Sequence, residues 1–103
     1  MLSALVTITA CEDDEADSST TETVEGILTW SGSPAADGCG YTLSIGDKIH
    51  KPTNEEDIPD SFMMVTQTPV EVKIINYHKK EDVVCGLSVS EMNKVKVLEL
   101  RKL

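Results

Sequence analysis

Short runs of alternating apolar and polar residues, separated by glycine, proline or charged residues, fill the chain from Val24 onward. This period of two is typical of strands that bury one face. The runs predict strands at residues 24–30, 39–45, 48–51, 69–77, resuming at 83–89, and 95–103. Gly46-Asp47 predicts a tight hairpin and residues 78–82 predict a turn. The spacing of the runs indicates an all-β barrel or sandwich.

The strand pattern lapses between residues 53 and 64, where residues 60–64 fit one helical turn with Phe62 and Met63 facing inward. Five strands with one short helical turn between strands 3 and 4 are the order of an OB-like barrel, which we predict for residues 24–103. In the last run the alternation changes phase between Val97 and Leu98, which predicts a β-bulge or a strand that turns a barrel corner.

An apolar run at residues 1–10 ends directly before Cys11. It is about half the ~20 residues that cross a bilayer, so it predicts a signal-peptide core and not a permanent span. Ile8-Thr9-Ala10-Cys11 resembles the lipobox of bacterial lipoproteins, which implies that Cys11 is lipidated and anchors the protein to a membrane. The alternative is a free thiol in a frayed N-terminus. The run contains no Lys or Arg, so we expect the signal peptide to be N-terminally incomplete.

Residues 11–23 hold six acids and no base, whereas the rest of a chain of net charge −9 has twelve acids and nine bases. Such a segment has almost no apolar area to offset its ordering entropy, so it predicts a disordered tether. Acids directly after the lipid cysteine resemble the export signal of Bacteroidetes-type surface lipoproteins, which implies the outer membrane and the cell surface. The alternative is that the charges only keep a linker soluble and extended, with the protein on the periplasmic face.

The chain has three cysteines, so lipidation of Cys11 leaves Cys39 and Cys85 as a pair. In an oxidising compartment the pair predicts a disulfide, worth about 4 kcal/mol for a loop of this length. The alternative is a zinc site formed with His50 and His78. None of these residues has a CxxC or HxxxH spacing, so we predict neither a metal nor another cofactor.

A further resemblance spans most of residues 24–103. Its segments are residues 37–41, residues 51–62, residues 70–74, and Cys85-Gly86 before the final strand. They resemble a group of small, functionally uncharacterised Bacteroidetes-type lipoproteins with a Cys-Gly…Cys-Gly pair, which implies an OB-like fold. The chain departs from that group in Asp57-Ile58-Pro59, where Asn-Leu-Pro is usual, and in Tyr41, where Trp is commoner.

The composition also limits the function. The barrel has no basic stripe and the chain has four aromatic residues, so nucleic-acid binding is disfavoured. A disulfide would consume the thiols that Cys-His catalysis needs, and no GxSxG elbow is present, so an enzyme is not expected. The sequence favours a lipid-anchored cell-envelope binding module with a glycan or protein ligand. The alternative is a periplasmic inhibitor or envelope accessory lipoprotein.

Four residues are candidates for ligand contact: Trp30, Tyr77, Asn54 and Asp57. The two aromatic residues can stack on a ligand, although plain core packing is the alternative for both. Asn54 and Asp57 belong to an acidic loop at residues 54–60. A calcium site is the alternative there, but the loop lacks the glycine and the terminal glutamate of an EF-hand.

Overall fold

The structure, a computed structural model, describes residues 19–33, 36 and 38–103. Within these residues five strands close into a barrel. In chain order they are β1 (Thr20–Trp30), β2 (Tyr41–Ile45), β3 (Lys48–Pro52), β4 (Gln67–Cys85) and β5 (Ser88–Lys102). The prediction of a small all-β barrel is confirmed.

The strands follow the order β1-β2-β3-β5-β4, and β4 returns to β1. The pairing of β3 with β5 is parallel, while the other four pairings are antiparallel. A segment of short 3-10 turns connects β3 to β4. This is the strand order of an OB-like barrel, a fold whose ligands usually bind across strands 2 and 3 and the adjoining loops.

The core fills the inside of the barrel with side chains from alternating strand positions. Its buried members are Leu28, Tyr41, Leu43, Ile58, Phe62, Val70, Val72, Ile74 and Val95. A fully buried aliphatic or aromatic side chain stabilises the fold by roughly 1.5–3 kcal/mol. The Tyr41 hydroxyl donates a hydrogen bond to the Pro59 carbonyl at 3.3 Å, so the core also holds the connection between β3 and β4 in place.

The barrel begins at Thr20, four residues before the predicted boundary. Residues 20–23 pair in register with residues 73–76 of β4, and three of the four are threonines, whose β-branched side chains favour strands. The predicted tether is therefore wrong for residues 20–23. The signal peptide at residues 1–10, Cys11 and the tether up to residue 18 lie outside the described residues.

The turn predicted at residues 78–82 is wrong, because β4 runs without a break to Cys85. His78 lies in an irregular stretch of the β4–β5 ladder between Asn76 and Lys80, with a φ of 56°. The chain instead reverses at Gly86-Leu87, where Gly86 has the positive φ of 65° that a hairpin turn of this kind requires. We call the paired residues 80–93 beyond this irregularity the arm.

The predictions of a hairpin at Gly46-Asp47 and of a β-bulge at Leu98 are confirmed. β2 and β3 form a hairpin whose turn is Gly46-Asp47. In the β4–β5 ladder, Ile74 pairs with Val97 and Lys73 pairs with Glu99, which leaves Leu98 as an extra residue. The phase change in the sequence therefore marks a true β-bulge.

Two short 3-10 turns, Glu55–Asp57 and Asp60–Met64, replace the single helical turn that was predicted. Pro59 lies between them and lacks the N–H that a continuous helix would use. Phe62 is buried as predicted, but Met63 is 40% exposed and does not enter the core. No helix within the described ranges has the length and apolar character needed to cross a membrane.

Candidate functional site

A disulfide joins Cys39 to Cys85, with their Cα atoms 4.7 Å apart and a sequence separation of 46. The predicted pairing is confirmed. Cys39 lies just before β2, and Cys85 is the last residue of β4, next to the turn of the arm. The bond therefore fixes the end of the arm to the segment that enters β2. It also occupies both thiols that a zinc site or a catalytic cysteine at these positions would need.

The arm has an inner face directed at the barrel. Val83, Cys85 and Met92 lie on one side of it, because Glu81 pairs with Met92 and residues two apart in a strand share a face. Val83 and Met92 are both buried. Since Cys85 on the same face is bonded to Cys39, we infer that this face packs against the barrel.

The outer side of β2 and β3 is covered near Cys39. Leu43 points into the core and pairs with His50. Thr42 and Lys51 are the next residues along the two strands, so they point to the outer side of the barrel. Both are nevertheless buried, each at 8% exposure. Part of the face that an OB-like barrel commonly offers to ligands is therefore occupied by residues of this chain.

Lys51 lies at the centre of this covered region. Its Nζ donates to the Cys39 carbonyl at 2.6 Å and to the Tyr41 carbonyl at 3.0 Å, and it lies 3.0 Å from Glu55 Oε2. The Tyr41 N–H donates to Glu55 Oε1 at 2.9 Å. A Cβ at Gly40, whose φ is 71°, would collide with the Glu55 carboxylate. These contacts lock the entry to β2 onto β3.

The role of Lys51 has no signal in the sequence. A lysine at the end of a short strand, directly before a proline, has the pattern of an exposed strand end. The carbonyls that bind its ammonium belong to residues ten and twelve positions earlier, so no local spacing reveals them.

Asn54, predicted as a ligand contact, has a structural role. It is buried, its Nδ2 donates to the Val97 carbonyl at 2.7 Å, and its Oδ1 accepts the Val97 N–H at 2.9 Å. The amide thus continues the β3–β5 pairing beside the Leu98 bulge, where a strand would otherwise lose its backbone partners. Sequence separation hides this role, because Val97 lies 43 residues away.

Asp57 is exposed and borders a groove of about 250 Å³. Its carboxylate accepts a hydrogen bond of 3.2 Å from Asn54 Nδ2. The groove is lined by Asp57, Ile58, Pro59, Val97, Leu98, Glu99 and Leu100. Asp57 therefore remains a candidate for ligand contact.

Trp30 and Tyr77 lie at opposite ends of the barrel. Trp30 ends β1 and packs on Tyr41, with ring centroids 4.8 Å apart, beside a cleft of about 250 Å³ that Glu56 and Met63 also line. Tyr77 comes directly after Asn76, which pairs with Thr20 at the start of β1. The Lys94 ammonium lies 5.2 Å from the centroid of the Tyr77 ring. Because β1 has eleven residues of roughly 3.3 Å each, these two aromatic residues cannot form one site.

His50 is the one described side chain with a buried polar atom that has no hydrogen-bond partner, its Nδ1. It points inward opposite Leu43 and is 5% exposed. Burial lowers the pKa of His50 below its ordinary value, and hydrogen bonding to the backbone near Leu43 and Lys48 opposes this shift. The imidazole is therefore held neutral inside the barrel.

We expect the free energy of unfolding to fall as the pH drops from about 7.5 to about 5.5, and His50→Leu to remove part of this fall. Below about pH 6.5 the unfolded chain protonates this imidazole while the folded chain resists it, so the stabilisation is present above that pH and lost below it. The contribution is at most about 1.4 kcal/mol per pH unit. Urea unfolding of both proteins across the range measures it.

The measurements above about pH 7.5 serve as the control. There the imidazole is neutral in both the folded and the unfolded chain, so the stability of the wild type and that of His50→Leu should change with pH in parallel. Curves that also run parallel at lower pH would contradict the assignment.

Among residues 19–33, 36 and 38–103, no group of three or more His, Cys, Asp or Glu side chains is placed to hold a metal ion. Comparison of the chain with protein-family models, with curated proteins and with solved structures gives no match. The strand order alone therefore identifies the fold as an OB-like barrel.

Proposed function

We propose that this protein is a lipid-anchored cell-envelope interaction module, displayed on the bacterial outer membrane, whose contact surface is the end of the arm. One observation carries the proposal: the disulfide holds the arm in place beside a set of exposed apolar side chains. Leu87 is fully exposed in the turn, and Val84 and Val89, which pair across the arm, are 64% and 63% exposed.

Exposed apolar side chains that cluster on a surface mark contact sites more often than isolated ones do. A contact surface that is rigid before binding also loses less conformational entropy when a partner binds. The disulfide supplies that rigidity, because it fixes the residue directly before the Gly86-Leu87 turn. A protein or glycan ligand fits this arrangement better than nucleic acid, which a chain of net charge −9 repels.

The membrane anchor in this proposal rests on the resemblance of residues 8–11 to a lipobox. The acidic residues 12–15 directly after Cys11 support display on the cell surface.

Metabolic labelling with a palmitate analogue tests the anchor. We expect label on the wild-type chain and none on Cys11→Ala. The matched control is the double variant Cys39→Ala/Cys85→Ala, which removes the other two cysteines and should keep the label. Label on Cys11→Ala would contradict the anchor.

Protease treatment of intact cells tests the display. We expect the full-length protein to be cleaved in intact cells, while a periplasmic marker protein stays whole. Protection of the chain until the outer membrane is opened would favour the second candidate, a periplasmic inhibitor or envelope accessory lipoprotein. A disulfide-fixed turn with an exposed leucine also suits that function, because it offers an apolar side chain to the cleft of a target enzyme.

A further inference from the structure

The end of the arm also indicates the chemistry of its partner, an inference that rests on the proposed function. Residues 83–90 are eight consecutive residues without a charge, on a chain in which 26% of residues are charged. Charged residues come directly before and after them: Asp82 is exposed on one strand and Glu91 on the other. An uncharged centre inside a charged rim is the composition of a protein–protein contact.

We propose that Leu87 is the anchor that enters an apolar pocket of a partner protein, with Val84 and Val89 packing at the mouth of that pocket. Leu87 lies at the turn of a two-stranded arm, so the surface is convex and its partner must be concave. Lys80 and Glu91 form an exposed ion pair of 3.8 Å on the same face of the arm as Val84 and Val89. Both signs of charge therefore lie on the rim, where they can fix the orientation of the partner.

A lipid bilayer fits this surface less well than a protein does. Bacterial membrane surfaces are anionic, and peripheral proteins reach such surfaces through clusters of basic residues. Residues 83–90 contain no basic residue, and the acids Asp82 and Glu91 directly flank them. The end of the arm therefore lacks the basic cluster that an anionic membrane surface attracts.

A second copy of the chain also fits less well. Three exposed aliphatic side chains offer on the order of 300 Å² of apolar area. A stable dimer buries roughly 800 Å² on each partner, and two convex ends cannot enclose each other. A small anchor in a deep pocket needs far less area, because a few buried residues supply most of the binding free energy.

Site-specific photo-crosslinking of the full-length protein in the cells that express it tests this inference. A photo-reactive residue replaces Leu87 in one variant and Met64, which is 84% exposed on the 3-10 turn, in the control. We expect one protease-sensitive adduct, heavier than the chain but not twice its mass, from position 87 and not from position 64.

A second pair of variants links the adduct to the apolar surface. In the chain with the photo-reactive residue at position 87, Val84→Lys/Val89→Glu should reduce the adduct at least tenfold, because two charges would replace the apolar contacts at the mouth of the pocket. Val84 and Val89 lie directly across from each other in the arm. The lysine and the glutamate that replace them attract each other, so the double substitution preserves the pairing of the two strands. Met64→Lys in the same chain should leave the adduct unchanged.

Four outcomes would overturn the inference: no adduct, an adduct of twice the chain mass, an adduct with lipid alone, or an adduct that the Val84/Val89 variant leaves intact. Its failure is distinguishable from failure of the proposed function. Anchoring and display are measured by palmitate label and protease. Loss of the adduct with both retained therefore contradicts the arm as contact surface and its pocket-binding partner, and leaves the anchor and the display in place.

Discussion

Removing the Cys39–Cys85 disulfide should lower the free energy of unfolding by about 4 kcal/mol, since the bond closes a long loop in the unfolded chain. The two cysteines lie 46 residues apart. Small domains have a total stability of only about 5–15 kcal/mol, so this loss brings the barrel close to unfolding. Urea unfolding of Cys39→Ser/Cys85→Ser against the wild type, at neutral pH, measures it.

Reductant supplies the control for that measurement. It should shift the wild-type unfolding curve onto that of the double variant and leave the variant itself unchanged. A double variant within about 1 kcal/mol of the wild type would show that the loop is already ordered without the bond, against the chain-entropy account.

The effect should also be uneven across the molecule. The arm rests on the barrel through a narrow inner face with two buried side chains, Val83 and Met92, whereas β4 pairs with β1 over ten residues. Without the disulfide, amide hydrogen exchange should therefore quicken first at residues 80–93, before residues 67–76 respond, because local openings follow the least-packed elements.

The sequence could predict the parts of this fold that depend on local pattern. Alternation along the strands indicated an OB-like barrel, Gly46-Asp47 indicated a hairpin, and the phase change at Leu98 indicated a bulge. The count of three cysteines, with Cys11 set aside, was enough to pair the other two.

The arm could not be predicted in the same way. Residues 78–82 are one histidine and four charged residues, a composition typical of a turn. They form strand because β5 supplies their backbone partners from residues further along the chain. Strand propensity depends strongly on such neighbours, so a solvent-exposed ribbon of charged residues leaves little pattern of its own.

The roles of residues in the candidate site are harder to predict than the strands, because the partners of a polar side chain can lie far away in the sequence. Asn54 stands in an acidic loop and was interpreted as a ligand contact, yet its amide binds the backbone of Val97. Leu87 was not identified at all, because a single leucine in a predicted strand has the pattern of a core residue. Its exposure follows from the position of the turn, which only the fold reveals.

Lys51→Met should lower the free energy of unfolding by about 3 kcal/mol, the lower end of the range for breaking a buried ion pair, because the Glu55 side chain is still 30% exposed. The Lys51 side chain is 10% exposed, and its ammonium is shared between the Glu55 carboxylate and the carbonyls of Cys39 and Tyr41. Methionine keeps the length of the lysine side chain up to Cε, so the loss mainly reports the ammonium group. The substitution would leave the half-buried Glu55 carboxylate and two carbonyls without their donor.

A surface ion pair of the same chain provides the matched control. Arg101 lies 2.7 Å from Glu71, but the two side chains are 64% and 38% exposed. Arg101→Met should therefore cost less than about 1 kcal/mol, as is usual for exposed pairs. Equal losses at the two positions would show that burial adds nothing at Lys51.

The double variant Lys51→Met/Glu55→Gln separates the ion pair from the hydrogen bonds to the backbone. Glutamine keeps an acceptor for the Tyr41 N–H and removes the charge that Lys51→Met leaves unpaired. We expect the double variant to be more stable than the sum of the two single losses predicts, because charges in contact are coupled. The loss that remains should reflect the carbonyls of Cys39 and Tyr41. Additive losses would instead mean that the Lys51 ammonium and the Glu55 carboxylate are not coupled. Lys51 would then stabilise the entry to β2 only through the carbonyls of Cys39 and Tyr41.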